Sequence, residues 1–173
     1  IASIEIEEGA RLTVAQVDGY VSVTAPVIEL DGTLDLELTS DTEPGELTGL
    51  TIAGDGSLVL SGPATLLVDD ASGLQYTGGT FVENGTLLLT DAYGGDITTS
   101  ASGVFQLGNG GTEGDFTGNL QNDGTFVFNR SDDYELIGDF NGAGSLVKDG
   151  AGTLFFGGVY GFTGTTSVLA GGI

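Results

Sequence analysis

The 173-residue sequence predicts an all-β chain wound as a parallel β-helix, a β-solenoid of about eight rungs. Three observations predict it. Apolar and polar residues alternate over short runs, and no window sustains the i, i+3, i+4, i+7 spacing of a helix. The 32 glycines bound these runs, and each would cost roughly 1 kcal/mol against alanine inside a helix. A unit of glycine, a small residue, then apolar-x-apolar recurs along the chain.

The elements follow in order. Ile4-Glu5-Ile6-Glu7 alternates, as does Leu12-Thr13-Val14 after the loose copy Gly9-Ala10-Arg11-Leu12. Clear copies of the unit begin at Gly32, Gly56, Gly85 and Gly124. Gly144-Ser145-Leu146 and Gly152-Thr153-Leu154-Phe155-Phe156 complete the series, with Gly103-Val104-Phe105 a looser copy. The steps from Gly9 are 23, 24, 29, 18, 21, 20 and 8 residues. Most lie near one 20-residue coil, and the step of 8 predicts two strands of one coil joined by a corner at Lys148–Gly150. Phe126 and Phe128 alternate and should fill the interior, whereas Phe155 should point out. Residues 54–66 match 142–154 at an offset of 88, and Thr77, Gly78, Thr80 and Gly85 return as Thr163, Gly164, Thr166 and Gly171. The reading is one solenoid segment over 1–173, with irregular rungs over 1–53 and duplicated units at 54–89 and 142–173. An antiparallel sandwich or barrel, which also has glycine-rich turns, is the alternative. The short strands and the phased repeat favour the solenoid.

Composition narrows function. Cysteine is absent and so is histidine, which excludes thiolate or imidazole zinc sites, disulfides and Ser-His or Cys-His nucleophiles. There are 25 Asp+Glu against 3 Lys+Arg, a formal net charge of −22. With only Arg11, Arg130 and Lys148 to meet phosphate, nucleic acid is not an expected partner. Apolar content of 39% is too high for a disordered acidic chain. No apolar run is long enough to span a bilayer and no secretory signal opens the chain. A first residue of Ile1 suggests a segment of something larger.

The last 26 residues carry a specific resemblance. Lys148, Gly150, Gly152, Thr153, Leu154, Gly158, Thr163, Gly164, Thr166, Val168 and Gly171 fall on a pattern that resembles the passenger-associated transport repeat of bacterial autotransporters. Tyr160, Phe162, Thr165 and Gly171-Gly172-Ile173 depart from it, and the copy at 62–89 is more decayed, with Ala64 replacing a glycine. The resemblance implies a right-handed β-helix exported across the outer membrane of a Gram-negative bacterium. It implies a secretion scaffold with no fixed activity. The remainder of a larger passenger, stacked copies of itself, or a ligand on a host or neighbouring cell are the partners expected. The absence of cysteine fits export in an unfolded state.

Candidate sites are sparse. Asp69-Asp70 and Asp132-Asp133-x-Glu135 are the carboxylate clusters. Two carboxylates suffice for glycoside hydrolysis, yet only Arg130 lies near to stabilise charge, and a solvated face or corner turn explains them equally. They are weak calcium candidates, and diffuse binding of Ca²⁺ fits better than a defined site. Gly110-Gly111-Thr112-Glu113-Gly114-Asp115 is similar to a calcium-binding nonapeptide, but Glu113 replaces a required glycine and there is no tandem copy. Of Tyr20, Tyr76, Tyr93, Tyr134 and Tyr160, Tyr76 reads as a core or corner residue. Tyr93 sits in the most turn-like stretch and is the least structural of the five, although a stacked or capping tyrosine is expected ahead of a ligand platform. Asn84 and Asn129 match an acceptor pattern for glycosylation but read as corner residues. No catalytic residue and no cofactor is assigned. The expected role is a non-enzymatic, acidic extracellular stalk of adhesin type. A fibre subunit formed by end-to-end stacking is the alternative, and a polysaccharide-acting enzyme is the third reading.

Overall fold

The computed structural model describes residues 3–16, 27–39, 44–47 and 49–173. Among them every regular element is a β-strand and every strand pairing is parallel. Three columns of strands make up each coil.

The first face opens with Ile4–Ile6, Val27–Leu30, Thr51–Gly54 and Leu74–Tyr76, paired in that order. It continues as Ala92–Tyr93 on Asp115–Phe116 and Tyr134–Leu136 on Leu154–Phe156. The second face stacks Arg11–Ala15, Thr33–Glu37, Ser57–Leu60, the start of Thr80–Leu89, the start of Ile97–Leu107, Leu120–Asn122, Phe140–Gly142 and Tyr160–Phe162. The third face holds Gly45–Glu46, Thr65–Val68, the ends of the two long strands, Thr125–Asn129, Ser145–Asp149 and Thr166–Val168. The second face is crossed eight times, which bounds seven complete turns of a β-solenoid. At ~4.8 Å per coil the stack is roughly 35 Å tall. The described N-terminal strands pair without a register shift.

Strand periodicity of two sends alternate side chains inward, and parallel in-register pairing stacks each on its counterpart one coil away. Leu12, Leu34, Leu58, Thr80, Ile97, Leu120 and Phe140 form one such column on the second face. Leu66, Leu87, Phe105, Phe126 and Leu146 form another on the third. Phe105 and Phe126 stack at 5.3 Å between ring centroids, and both are fully buried. Phe128 is buried and Phe155 is 52% exposed, as the alternation predicts.

The glycines form ladders where coils turn. Gly32, Gly56, Gly78, Gly95, Gly118, Gly138 and Gly158 lie on the corner between the first and second faces. Gly103, Gly124, Gly144 and Gly164 lie on the corner between the second and third. A methyl group at Gly124, Gly144 or Gly164 would press into the carbonyl oxygen of the glycine one coil before. Close backbone approach, more than turn conformation, therefore requires glycine there.

This arrangement corrects the phasing read from the sequence. The repeated units opened by Gly32 and Gly56 lead strands on the second face, whereas those opened by Gly85, Gly124 and Gly144 lead strands on the third. The two copies of the longer unit differ likewise: Ser57–Leu60 lies on the second face and its counterpart Ser145–Asp149 on the third. The second copy is advanced by one face because a glycine corner followed by a short strand is the same local structure at either corner. The step of 8 residues from Gly144 to Gly152 does join two strands of one coil, Ser145–Asp149 and Leu154–Phe156.

Candidate functional site

Most of the described acidic side chains near corners are engaged by the backbone. Asp96 Oδ1 accepts the Asn119 N–H at 2.9 Å, Asn119 Oδ1 accepts the Asp139 N–H at 3.0 Å, and Asp139 Oδ1 accepts the Val159 N–H at 2.9 Å. Asp91 accepts from Ala71 N at 2.8 Å, Asp123 from Ala143 N at 3.1 Å and Asp133 from Thr153 N at 2.8 Å. Each bond joins residues 20 to 23 apart, one coil to the next. Corner N–H groups fall outside the strand ladders, and a carboxylate from the adjacent coil satisfies them. The sequence signal is an Asp or Asn recurring about 20 residues apart just before or after a strand.

The predicted carboxylate clusters resolve in this light. Asp70 accepts from Ser72 N at 3.1 Å and Ser72 Oγ at 2.6 Å, a local turn that lowers its pKa. Asp69 is exposed beside it. Asp132 receives Arg130 Nε at 3.0 Å and Nη2 at 2.8 Å, and the guanidinium bonds hold its carboxyl below the usual range. Asp133 and Glu135 line an open acidic groove on the first face with Asp91, Glu113, Asp115 and Asp132. Among the described residues no three carboxylates converge closely enough to hold a metal ion. The structure does not bring Asp69-Asp70 together with Asp132-Asp133, which lie three coils apart.

The cations are largely interior. Lys148 occupies the column Leu107, Phe128, Lys148, Val168 and is fully buried. Its Nζ donates to the carbonyls of Asp149 at 2.7 Å, Gly150 at 2.8 Å and Ala170 at 3.2 Å, and stands 5.1 Å from the Phe128 ring centroid. Burial lowers its pKa. Arg130, 7% exposed, donates to the Gly114 carbonyl and lies over the Tyr134 ring. Arg11 is the exposed cation, paired with Asp35 at 2.8 Å, whose Oδ1 is buried without a hydrogen-bond partner. Of the three residues able to meet phosphate, Arg130 and Lys148 are carried inside by their register positions.

Tyr93 takes the stacked, capping role rather than that of a ligand platform. It is 8% exposed, and its hydroxyl lies 2.9 Å from Thr80 Oγ1 and 3.1 Å from the Tyr76 hydroxyl. Tyr76 in turn lies 2.6 Å from Thr80 Oγ1. The three hydroxyls close a buried triangle that allows Thr80 to stand in a leucine column, so Tyr93 is structural. Burial raises the Tyr76 pKa well above its ordinary value. Tyr134 bonds Asp115 at 2.9 Å and the Phe116 carbonyl at 2.9 Å, Tyr160 is half exposed, and Tyr20 lies outside the described residues. Asn122, fully buried, is a further interior polar group: it accepts from Thr99 Oγ1 at 2.7 Å and donates to the Ser145 carbonyl at 3.0 Å.

Of the repeat residues, Leu154 is fully buried, while Thr153 bridges to Gly172. Gly85 and Gly150 adopt φ of 75° and 76°. Gly171 turns the last corner against the Gly150 and Gly152 carbonyls. Thr166 continues the column of Phe126 and Leu146 into the last coil. The residue that sequence reasoning missed is Phe81, 38% exposed on the outer second face.

Comparison with known proteins bears on these repeats. Residues 50–89 and 146–173 match the passenger-associated-transport-repeat family. Over 111 residues the chain is 38% identical to the adhesin BmaC autotransporter of Brucella suis biovar 1 (strain 1330), a match covering 59% of this chain and 3% of that protein. The chain thus spans about 3% of the length of this curated relative. No solved structure matches the chain. Repeats and relative agree with the stacked parallel coils: the chain is a β-solenoid that carries two stretches of passenger-associated-transport-repeat and is similar over 111 residues to an autotransporter adhesin.

Proposed function

We propose that this chain is a non-catalytic stretch of a longer autotransporter passenger on the surface of a Gram-negative bacterium. It acts there as a stiff acidic stalk that contributes to adhesion. The observation that carries this reading is the 38% identity over 111 residues to an autotransporter adhesin. The use of carboxylates and cations in corner and interior bonding supports a scaffold role. The solvated acids that remain bind divalent cations diffusely. The partner in the same chain is the passenger before and after this segment. The test is display of the segment on a non-adherent Gram-negative host. A rise in attachment to epithelial cells or to neighbouring bacteria is expected, and attachment equal to that of a scrambled-surface control overturns the reading.

End-to-end stacking into a fibre is the second reading. Residues 150–173 carry no charge in a chain of net −22. Sedimentation across a hundredfold concentration range tests it, and a strict monomer removes it.

A further inference from the structure

We propose that the corner between the second and third faces, at the fourth to sixth coils, binds an uncharged saccharide with Phe81 as its floor. This rests on the adhesin-like reading and names its ligand class. Phe81 points outward between Val59 and Thr98, its register partners. Every other exposed large apolar residue among those described lies at 137–173. Immediately past Phe81 the pairing slips: Val82 faces Thr99 but Asn84 faces Ser102, so Glu83 stands against both Ser100 and Ala101. A bulge of this kind bends the Ile97–Leu107 strand, which carries the extra residue. Beside the bulge is a groove lined by Phe81, Val82, Glu83, Thr98, Ser100 and Asp123.

The chemistry of that groove suits a sugar ring. The C–H face of a pyranose packs on an exposed aromatic side chain, while its hydroxyls need acceptors and donors at the rim. Glu83 and Asp123 are charged acceptors, which make strong bonds with O–H donors, and Thr98 supplies a hydroxyl. Ser100 Oγ donates to the Glu83 carbonyl at 2.5 Å, and the Gln121 amide reaches Asp123 at 3.4 Å, so two rim groups are held in place. No cation lines the groove, and the chain is net −22; uronic or sialic acids are repelled. The strand bearing Phe81 is paired on both sides, so no free edge is available for an extended peptide.

The test is titration of the purified chain by protein-observed NMR with cellotetraose, maltotetraose, laminaritetraose and chitotetraose, and with tetragalacturonate. At least one neutral saccharide should shift the resonances of Phe81, Thr98 and Ser100, and the uronate should not. Phe81→Ala should weaken binding about tenfold or more, Phe81→Trp should retain it, and Phe155→Ala, on another face, should leave it unchanged. Thr98→Val gives a second reading of the same groove if Phe81→Ala loses structure. No neutral binding up to about 10 mM, binding indifferent to Phe81→Ala and Thr98→Val, or equal loss with Phe155→Ala overturns the proposal. Attachment of the displayed segment that persists with Phe81→Ala, without saccharide binding, sinks this inference alone. Absence of attachment by the parent segment sinks the adhesin reading instead.

Discussion

Gly144→Ala tests the physical claim on which the coil stack depends. Gly144 N donates to the Asn122 carbonyl at 2.9 Å, and Ser145 N donates to the Gly124 carbonyl at 2.7 Å. A β-carbon at 144 would press into that same Gly124 oxygen, with Asn122 Nδ2 at 2.8 Å. Restoring van der Waals separation requires the coils to part by about 1 Å at this corner. Both hydrogen bonds would then stretch beyond useful range, leaving buried groups unpaired. Two such losses, with relaxation recovering part, amount to about 2–4 kcal/mol. Gly94→Ala is the matched control, because its β-carbon would meet only Thr117 Oγ1 at 3.2 Å. It should cost less than about 1 kcal/mol. Urea unfolding with m-values compared across variants gives the difference, and amide exchange at residues 144 and 145 locates it. A Gly144→Ala protein as stable as Gly94→Ala, with unchanged exchange there, would refute the argument that close approach fixes the glycine ladder.

Other expectations follow from the interior polar groups and the charge. Lys148→Met relieves an amine of its desolvation but strands three carbonyls, so a loss of about 2–4 kcal/mol is expected in chemical denaturation; equal or greater stability would show that desolvation dominates. The folded-state pKa of Lys148 is depressed, so the unfolded chain binds more protons below 10.5 and stability rises with pH toward that value. Above about 10 the sign reverses: Tyr76 and Tyr134 have raised pKa values, the unfolded chain loses their protons first, and stability falls. Melting temperature should therefore peak near pH 10, with Tyr76→Phe blunting the alkaline fall; a monotonic profile through that range contradicts it. Raising NaCl from about 10 to 200 mM, or adding Ca²⁺ or Mg²⁺, should raise the melting temperature by screening a charge of −22, and a flat calorimetric response would count against self-repulsion.

The sequence by itself determined the strands, the coil length and the resemblance to the transport repeat. Two-residue alternation marks inward and outward positions locally, which is why Phe126 and Phe155 were placed on the correct sides. The glycine unit was legible because close approach excludes every other residue, although its phase was not: second-face and third-face corners make the same local demand. The tertiary structure decided what depends on register. Alternation puts Lys148 on the inward side with Leu146, but only its stacking on Phe128 and the Ala170 carbonyl of the following turn account for a buried amine there. Tyr93 reads as a loop residue until its coil lies over Tyr76 and Thr80. The acidity, in sequence only an excess of negative charge, became in part a corner ladder once Asp96, Asn119 and Asp139 stood one coil apart. Pairing at distances of about 20 residues is set by how the coils stack, and a single strand carries no record of which neighbour it will meet.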